Sequence, residues 1–203
     1  MESLTTTSYA ILSLLGVRSW TAYQLAQQME RSVGQMWPRA ASVVYEEPKR
    51  LAKLGLVEAT TQYTGKRAST VYSITDAGRA ALADWLAEPG AMPSIEFEAL
   101  LKVAFADNGS IEALRTNLAA IREEAERELE TVAERLREYA ETGGPYPERL
   151  PVISLAMRWY IELHSAIERW AEWAEAATDE WTGVTPDTGA EVPPGAFAAK
   201  LPT

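Results

Sequence analysis

The stretch SVVYEEPKRLAKLGLV, residues 42–57, decides the fold. Its apolar positions recur at helical spacing, Gly55 offers a stop, and Leu56 and Val57 open a run rich in β-branched residues. Yet Pro48 lies inside it, where a proline removes one hydrogen bond and crowds the carbonyl four residues earlier. Glu46 and Glu47 precede the proline, and negative charge opposes contact with nucleic acid. Two starts fit. The helix begins near Glu46 or Glu47, with Pro48 in its first turn where the missing N–H costs little, or it begins at Ser42 and kinks. An irregular first turn is the expectation preferred here.

At about 100° per residue, with Leu51 at the core, Val44 and Leu54 fall on the buried side and Glu47 at its edge. Ser42, Tyr45, Glu46, Lys49 and Lys53 lie opposite, and Arg50 lies on the flank as a further candidate DNA contact. Lys49 and Lys53 can meet phosphate or guanine, and Ser42 and Tyr45 can donate to phosphate oxygens. Glu46 can accept from a cytosine amino group and repel most other bases. Glu47 is expected to pair with a neighbouring basic group or to cap a turn.

On the N-terminal side, SYAILSLLG (8–16) reads as a short apolar helix, capped by Ser8 or a preceding threonine and stopped by Gly16. TAYQLAQQMER (21–31) begins with a capping Thr21 and places Tyr23, Leu25, Ala26 and Met29 at helical spacing. Thr21 and Tyr23 join the candidate DNA contacts. On the C-terminal side, LVEATTQYTGKRASTVYSIT (56–75) holds two β-prone runs around TGKRA, a hairpin with Lys66 and Arg67 at a basic tip. Thr75 then caps DAGRAALADWLAEP, which Pro89 ends. Three short helices and a hairpin make a winged helix-turn-helix over residues 1–89, with the third helix placed to enter a major groove and the hairpin tip beside it.

GAMPS (90–94) reads as a linker, and residues 95–181 read as helical. SIEFEALLKVAFA (94–106) is expected as one helix, broken by Asn108-Gly109. Ser110 opens a long helix to about Thr142, with apolar positions Ile111, Leu114, Leu118, Ile121, Ala125, Leu129, Val132, Leu136 and Tyr139. This is a heptad seam with a four-residue stutter, the pattern of a coiled-coil-like face. A last helix is expected from about Leu150 to Trp181, and residues 182–203 as a loose tail. The fold class is therefore mainly α with a small β-hairpin: an N-terminal winged helix-turn-helix and a C-terminal helical dimerisation domain. Leu114, Leu118, Ile121, Leu163, Ile167 and Trp170 are the expected dimer interface.

Trp159, Trp170 and Trp181 recur every eleven residues and share nearly one helix face. Aromatic residues favour interfaces, so a dimer core is one reading. The other is a platform for a planar ligand, with Trp85, Trp159 and Trp170 as effector-contacting candidates and Trp37 as a further neighbour. His164, the sole histidine, has no cysteine partner and no nucleophile motif beside it, which points to a structural or pH-tuning role.

The formal charge of −10 is unevenly spread. Residues 1–88 carry nine Lys/Arg against eight Asp/Glu, and residues 89–203 carry ten against twenty-one. Residues 31–67 hold seven basic and three acidic side chains, so a locally basic segment can hold phosphates on an acidic protein. The alternating charges of AIREEAERELETVAERLREYAE (120–141) read as a solvated flank, and their excess of acid excludes a basic membrane-binding helix. Cysteine is absent, which excludes disulfides and thiolate metal sites. No run approaches membrane-spanning length, and the N-terminus lacks a signal peptide's basic region, so a soluble cytoplasmic protein is expected. No glycine-rich phosphate loop, metal triad or catalytically spaced carboxylate pair is present. No enzyme, cofactor or metal is expected.

The segments YAILSLL, TAYQLAQQM, the WP of 37–38, SVVY with RLAKLGLV, and VYSITDAGRAALADWL resemble the PadR family of transcriptional regulators, over roughly residues 8–87. Tyr45, Arg50, Leu51, Gly55 and Leu56 fit the family's third-helix pattern. Many members carry proline directly after the tyrosine, where this chain has Glu46. The later helices resemble the family's C-terminal dimerisation domain. The resemblance implies a homodimeric repressor that binds a pseudo-palindromic operator and releases it when a small, often aromatic, effector binds. Glu46-Glu47 and the net charge leave a second reading open: a winged-helix protein-interaction module that does not bind DNA.

Overall fold

The computed structural model describes residues 3–34, 36–38, 40–64 and 67–197, with the side chains of Ala41, Thr64 and Arg67 left aside. The chain divides into two compact units, Met1–Pro93 and Ser94–Thr203. Among the described residues no helix is long and apolar enough to cross a membrane.

The first unit begins with α1 (Thr6–Val17), two residues earlier than expected. Thr5 is its cap, exchanging hydrogen bonds with Ser8, and Gly16 lies inside the helix rather than ending it. β1 (Trp20–Thr21) follows, and Thr21 caps α2 (Ala22–Gln28) in a reciprocal exchange with Gln24. A π-helical turn, Met29–Val33, extends α2. α3 runs over Ala41–Lys53. β2 (Val57–Thr64) and β3 (Arg67–Ile74) form the hairpin, in register from Val57 against Ile74 to Thr64 against Arg67. β1 adds a third antiparallel strand, with Trp20 opposite Tyr72. α4 (Asp76–Ala87) closes the unit, capped by Thr75.

Apolar residues from every layer meet in one core. Ile11, Leu12 and Leu15 of α1, Leu25 of α2 and Leu51 of α3 are fully buried, with Trp20, Val57, Val71 and Tyr72 closing the sheet side. Each such side chain contributes about 1.5–3 kcal/mol relative to exposure. The indole N–H of Trp20 donates to the Leu14 carbonyl at 2.9 Å, and Arg18 covers its ring at 3.8 Å. Two glycines are required here. Gly55 adopts φ +74°, and its turn is closed by the Leu56 N–H on the Leu51 carbonyl, a left-handed helix stop. Gly78 lets α4 pass close to the turn between α3 and β2, because a Cβ there would lie 2.1 Å from the Leu56 carbonyl oxygen.

The second unit is a helical hairpin with a short helix beside it. α5 is shorter than the sequence suggested, Glu98–Ala104, with a 3-10 turn at Ala106–Asn108. α6 spans Ile111–Thr142 and is capped by Ser110. Gly143 in the left-handed region ends it, and α7 (Leu150–Thr178) returns antiparallel. The heptad positions Ile111, Leu114, Leu118, Ile121, Ala125 and Val132 are buried. They face Met157, Ala171, Ala174 and Thr178, the buried residues of α7.

That packing corrects two expectations. Leu114, Leu118 and Ile121 were assigned to a dimer interface, but α7 of the same chain already covers them, since a heptad seam does not specify whose helix fills it. Residues 182–203 were expected to be loose, and of these 198–203 lie outside the described residues. Among the others, Val184 packs with the preceding Trp181 against Ile111, Leu114, Leu118 and Ala174, and the Thr182 hydroxyl donates to the Thr188 carbonyl at 2.8 Å.

Candidate nucleic-acid interface

α3 starts at Ala41, not near Glu46, so Pro48 is an interior residue of a continuous helix. It is fully buried, and packing offsets the hydrogen bond it cannot make. Val44, Pro48 and Leu51 form the buried stripe. Leu54, expected on that stripe, is exposed because the helix has unwound into the Gly55 turn.

The opposite face carries most of the candidates. Ser42, Glu46, Lys49 and Lys53 are exposed and Tyr45 is half-buried. Lys49 donates to Glu46 at 2.6 Å, and this hydrogen bond, followed by the charge of Glu46, raises the lysine pKa. Both side chains are solvated, so the pair contributes little to stability, but it shares the lysine's charge with a carboxylate on the reading face. Val43 is exposed beside Ser42 and was missed from the sequence; an apolar residue there suits a thymine methyl group. Its only sequence signal is a position one step before Val44, off the buried stripe.

Arg50 is placed differently from the expectation of a flanking DNA contact. Its guanidinium turns inward and grips Glu47 with two prongs, Nη2 to Oε1 at 2.6 Å and Nε to Oε2 at 2.9 Å. The hydroxyl of Ser8 on α1 donates to Glu47 Oε1 at 2.6 Å and accepts from Arg50 Nη2 at 2.8 Å. The expected pairing of Glu47 with a neighbouring basic group is therefore present. Burial by itself would raise the Glu47 pKa. The Arg50 hydrogen bond, the Ser8 hydrogen bond and the Arg50 charge outweigh it, and the carboxyl sits below its ordinary range.

At the start of α2, Thr21 is committed to its cap and Tyr23 is exposed, with its hydroxyl accepting from Gln27 at 2.9 Å. At the wing, Lys66 lies outside the described residues, and Arg67 is described only as backbone at the start of β3. The turn before α3 is tied back to α1 by the indole N–H of Trp37, which donates to the Thr7 hydroxyl at 3.0 Å.

The effector candidates are divided between the two units. Trp85 stacks on Tyr9 within the first unit, ring centroids 4.7 Å apart. In the second unit Trp170 packs against the α6–α7 core, and Trp159, about three turns earlier on α7, is 49% exposed. A groove of about 440 Å³ lies between α5 and α6, lined by residues that include Leu101, Phe105, Ala113 and Asn117. Neither Trp159 nor Trp170 lines it. His164 stacks near Tyr160, whose buried hydroxyl has no hydrogen-bond partner among the described residues. Burial first, then the charge of Glu128, opposed by Arg135, pushes the Tyr160 pKa up to about 12.

A helix with a polar, partly basic outer face, backed by two helices and followed by a β-hairpin, defines a winged helix-turn-helix protein. The model named Transcriptional regulator PadR-like family matches residues 11–84, and that named Virulence activator alpha C-term matches residues 97–179. The chain is 31% identical over 134 residues to the Mycobacterium tuberculosis protein named "Probable transcriptional regulator Rv1176c", covering 61% of this chain and 71% of that one. It is 32% identical over 99 residues to the negative transcriptional regulator PadR of Bacillus subtilis, covering 48% and 54% respectively. The crystal structure of that PadR with operator DNA superposes with a TM-score of 0.74 at 22% identity, over 85% of this chain and 98% of the other. Its structure with p-coumaric acid gives 0.68 at 22% identity, over 87% and 100%. The chain belongs to the PadR-like family of transcriptional regulators.

Proposed function

We propose that this regulator is a DNA-binding repressor that acts as a homodimer and releases its operator when a small aromatic molecule binds. The observation that carries the DNA reading is the outer face of α3, where Ser42, Tyr45, Glu46, Lys49 and Lys53 stand clear of the Val44–Pro48–Leu51 stripe. Lysines and hydroxyls suit phosphate oxygens, and Glu46 with Val43 supplies discrimination between bases. Tyr23 of α2 and the wing residues Lys66 and Arg67 complete the proposed contacts. Bacillus subtilis PadR, which shares the fold, is known bound to operator DNA and to p-coumaric acid.

Dimerisation is assigned to the second unit. Val152, Leu155 and Trp159 recur at helical spacing along α7 and are exposed, an apolar and aromatic face of the character that a second copy covers. Leu163, Ile167 and Trp170 are half-buried further along the same helix. Effector release requires a ligand whose affinity differs between the DNA-competent and released states.

A reporter gene placed behind the DNA upstream of the protein's own gene tests this reading. Co-expression of the protein lowers reporter output, and growth with hydroxycinnamic acids restores it. Unchanged output with and without the protein, on this DNA and on a genomic promoter library, would overturn repression.

A further inference from the structure

The first turn of α1 is a polar hub in an otherwise apolar core. Ser8 is 0% exposed and Thr7 is buried, yet both carry hydroxyls. Thr7 accepts from Trp37, at the end of the turn that leads into α3. Ser8 reaches the middle of α3, where it meets Glu47 and Arg50 together. A hydroxyl has one hydrogen to give and two lone pairs to fill. Ser8 gives its hydrogen to Glu47 and receives from Arg50 Nη2 and from the Thr5 N–H at 2.9 Å, so its capacity is used. α3 is thus held to α1 at two points along its approach, in a region where the interior Pro48 removes one helix hydrogen bond.

The geometry points to Ser8, Glu47 and Arg50 as positioning residues: they set the rotation and depth of α3 from behind its reading face, and Arg50 makes no phosphate contact. The inference rests on the reading of α3 as the DNA-contacting helix. Three features support it. Ser8 is wholly enclosed and cannot touch a duplex. Nε and Nη2 of Arg50 are engaged by one carboxylate and one hydroxyl, a bidentate geometry that a lysine's point charge does not reproduce. Glu47 and Arg50 are mostly enclosed, with side chains 12% and 25% exposed, whereas the neighbouring Glu46 and Lys49 are 70% and 55% exposed. One glutamate–basic pair of the EEPKR run therefore serves the helix's placement, and the other lies on its surface.

The test uses the full chain as wild type, Ser8→Ala, Arg50→Lys and Arg50→Met. Each is titrated onto a fluorescein-labelled duplex from upstream of its own gene and onto a scrambled duplex, at several salt concentrations and well below its melting temperature. The same four proteins are followed by amide hydrogen exchange. Positioning predicts that all three variants lose operator affinity by about threefold or more, the size of coupling within one hydrogen-bond network. Binding to the scrambled duplex and the salt slope stay at wild-type values, and exchange rises in both α1's first turn and α3. A simple loss of fold stability would not lower operator affinity per folded molecule while sparing the scrambled duplex. If Arg50→Lys binds as wild type while Arg50→Met lowers the salt slope by about one, Arg50 is a phosphate contact and the inference is overturned. Exchange at wild-type rates in every variant also overturns it. Absence of binding by the wild type to any fragment sinks the DNA reading itself, and the exchange data then decide separately whether the clamp orders α3.

Discussion

The guanidinium of Arg115, in the second turn of α6, donates to the carbonyl of Trp181 at 3.0 Å, across 66 positions of sequence. The same Nη2 reaches the carbonyls of Thr178 and Asp179, both at 2.7 Å. The Thr178 carbonyl belongs to the last turn of α7, which carries the helix's negative dipole end, and those of Asp179 and Trp181 lie just beyond it. Arg115→Met keeps an unbranched apolar stem and removes the donors. It is expected to destabilise the second unit by about 1.5–3 kcal/mol, the range for hydrogen bonds to a charged group. Protease sensitivity after Thr178 should rise, and the fluorescence of Trp181 should move toward that of a solvated indole.

Glu47 ties the stability of the first unit to pH. Its carboxyl titrates below the ordinary range because Arg50 and Ser8 favour the charged form more than burial opposes it. A depressed folded-state pKa gives stability that is fully present above the unfolded value of about 4.3. That stability is lost as pH falls through the folded value. Urea titrations of wild type between pH 7 and pH 3 should therefore show a falling midpoint at the acid end. Glu47→Gln should start lower at neutral pH and fall less.

Gly78 is needed for space. A Cβ at that position would sit 2.1 Å from the Leu56 carbonyl oxygen and 2.9 Å from Ile74 Cγ1. The same Leu56 carbonyl accepts from the Thr75 N–H at 3.1 Å, so it cannot retreat without breaking the joint between β3 and α4. Gly78→Ala is expected to cost about 1–3 kcal/mol, the range for overpacking, although alanine favours helices by about 1 kcal/mol elsewhere. Thermal denaturation measures the difference, and an unchanged or raised melting temperature would contradict the steric argument.

Glu46 restrains Lys49 on the outer face of α3. Glu46→Gln removes the carboxylate and leaves the lysine's full charge for phosphate. Affinity for any duplex should increase, the salt slope should steepen, and the ratio of operator to scrambled DNA should fall as the repulsive element is lost. A gain confined to the operator would show instead that Glu46 hinders specific contacts alone.

Local chemistry made much of the molecule legible. Ser110 and Thr75 are caps by residue type and position, and both cap. The β-branched runs form the hairpin, and the Ile111–Val132 spacing forms a buried seam. The misses share a cause: each depends on a partner distant in sequence. β1 is two residues long and exists because Trp20 pairs with Tyr72. Pro48 reads locally as a breaker, but α3 buries it and runs on. Arg50 reads as a flank because nothing near it in sequence reveals Ser8, 42 positions earlier. The seam residues Leu114, Leu118 and Ile121 were placed between two chains, when α7 of the same chain supplies their cover.

The central claim is that the outer face of α3 binds DNA. Fluorescence anisotropy on the duplex upstream of the protein's own gene, at two salt concentrations, tests it most directly when wild type is run beside Lys49→Glu/Lys53→Glu. The account predicts tight binding by wild type that weakens steeply with salt and is abolished in the double variant, which stays folded because both lysines are exposed. Equal binding by the two proteins would contradict it. Failure of wild type to bind that duplex or any fragment of a genomic library would do the same, and would favour a winged-helix module that recognises protein.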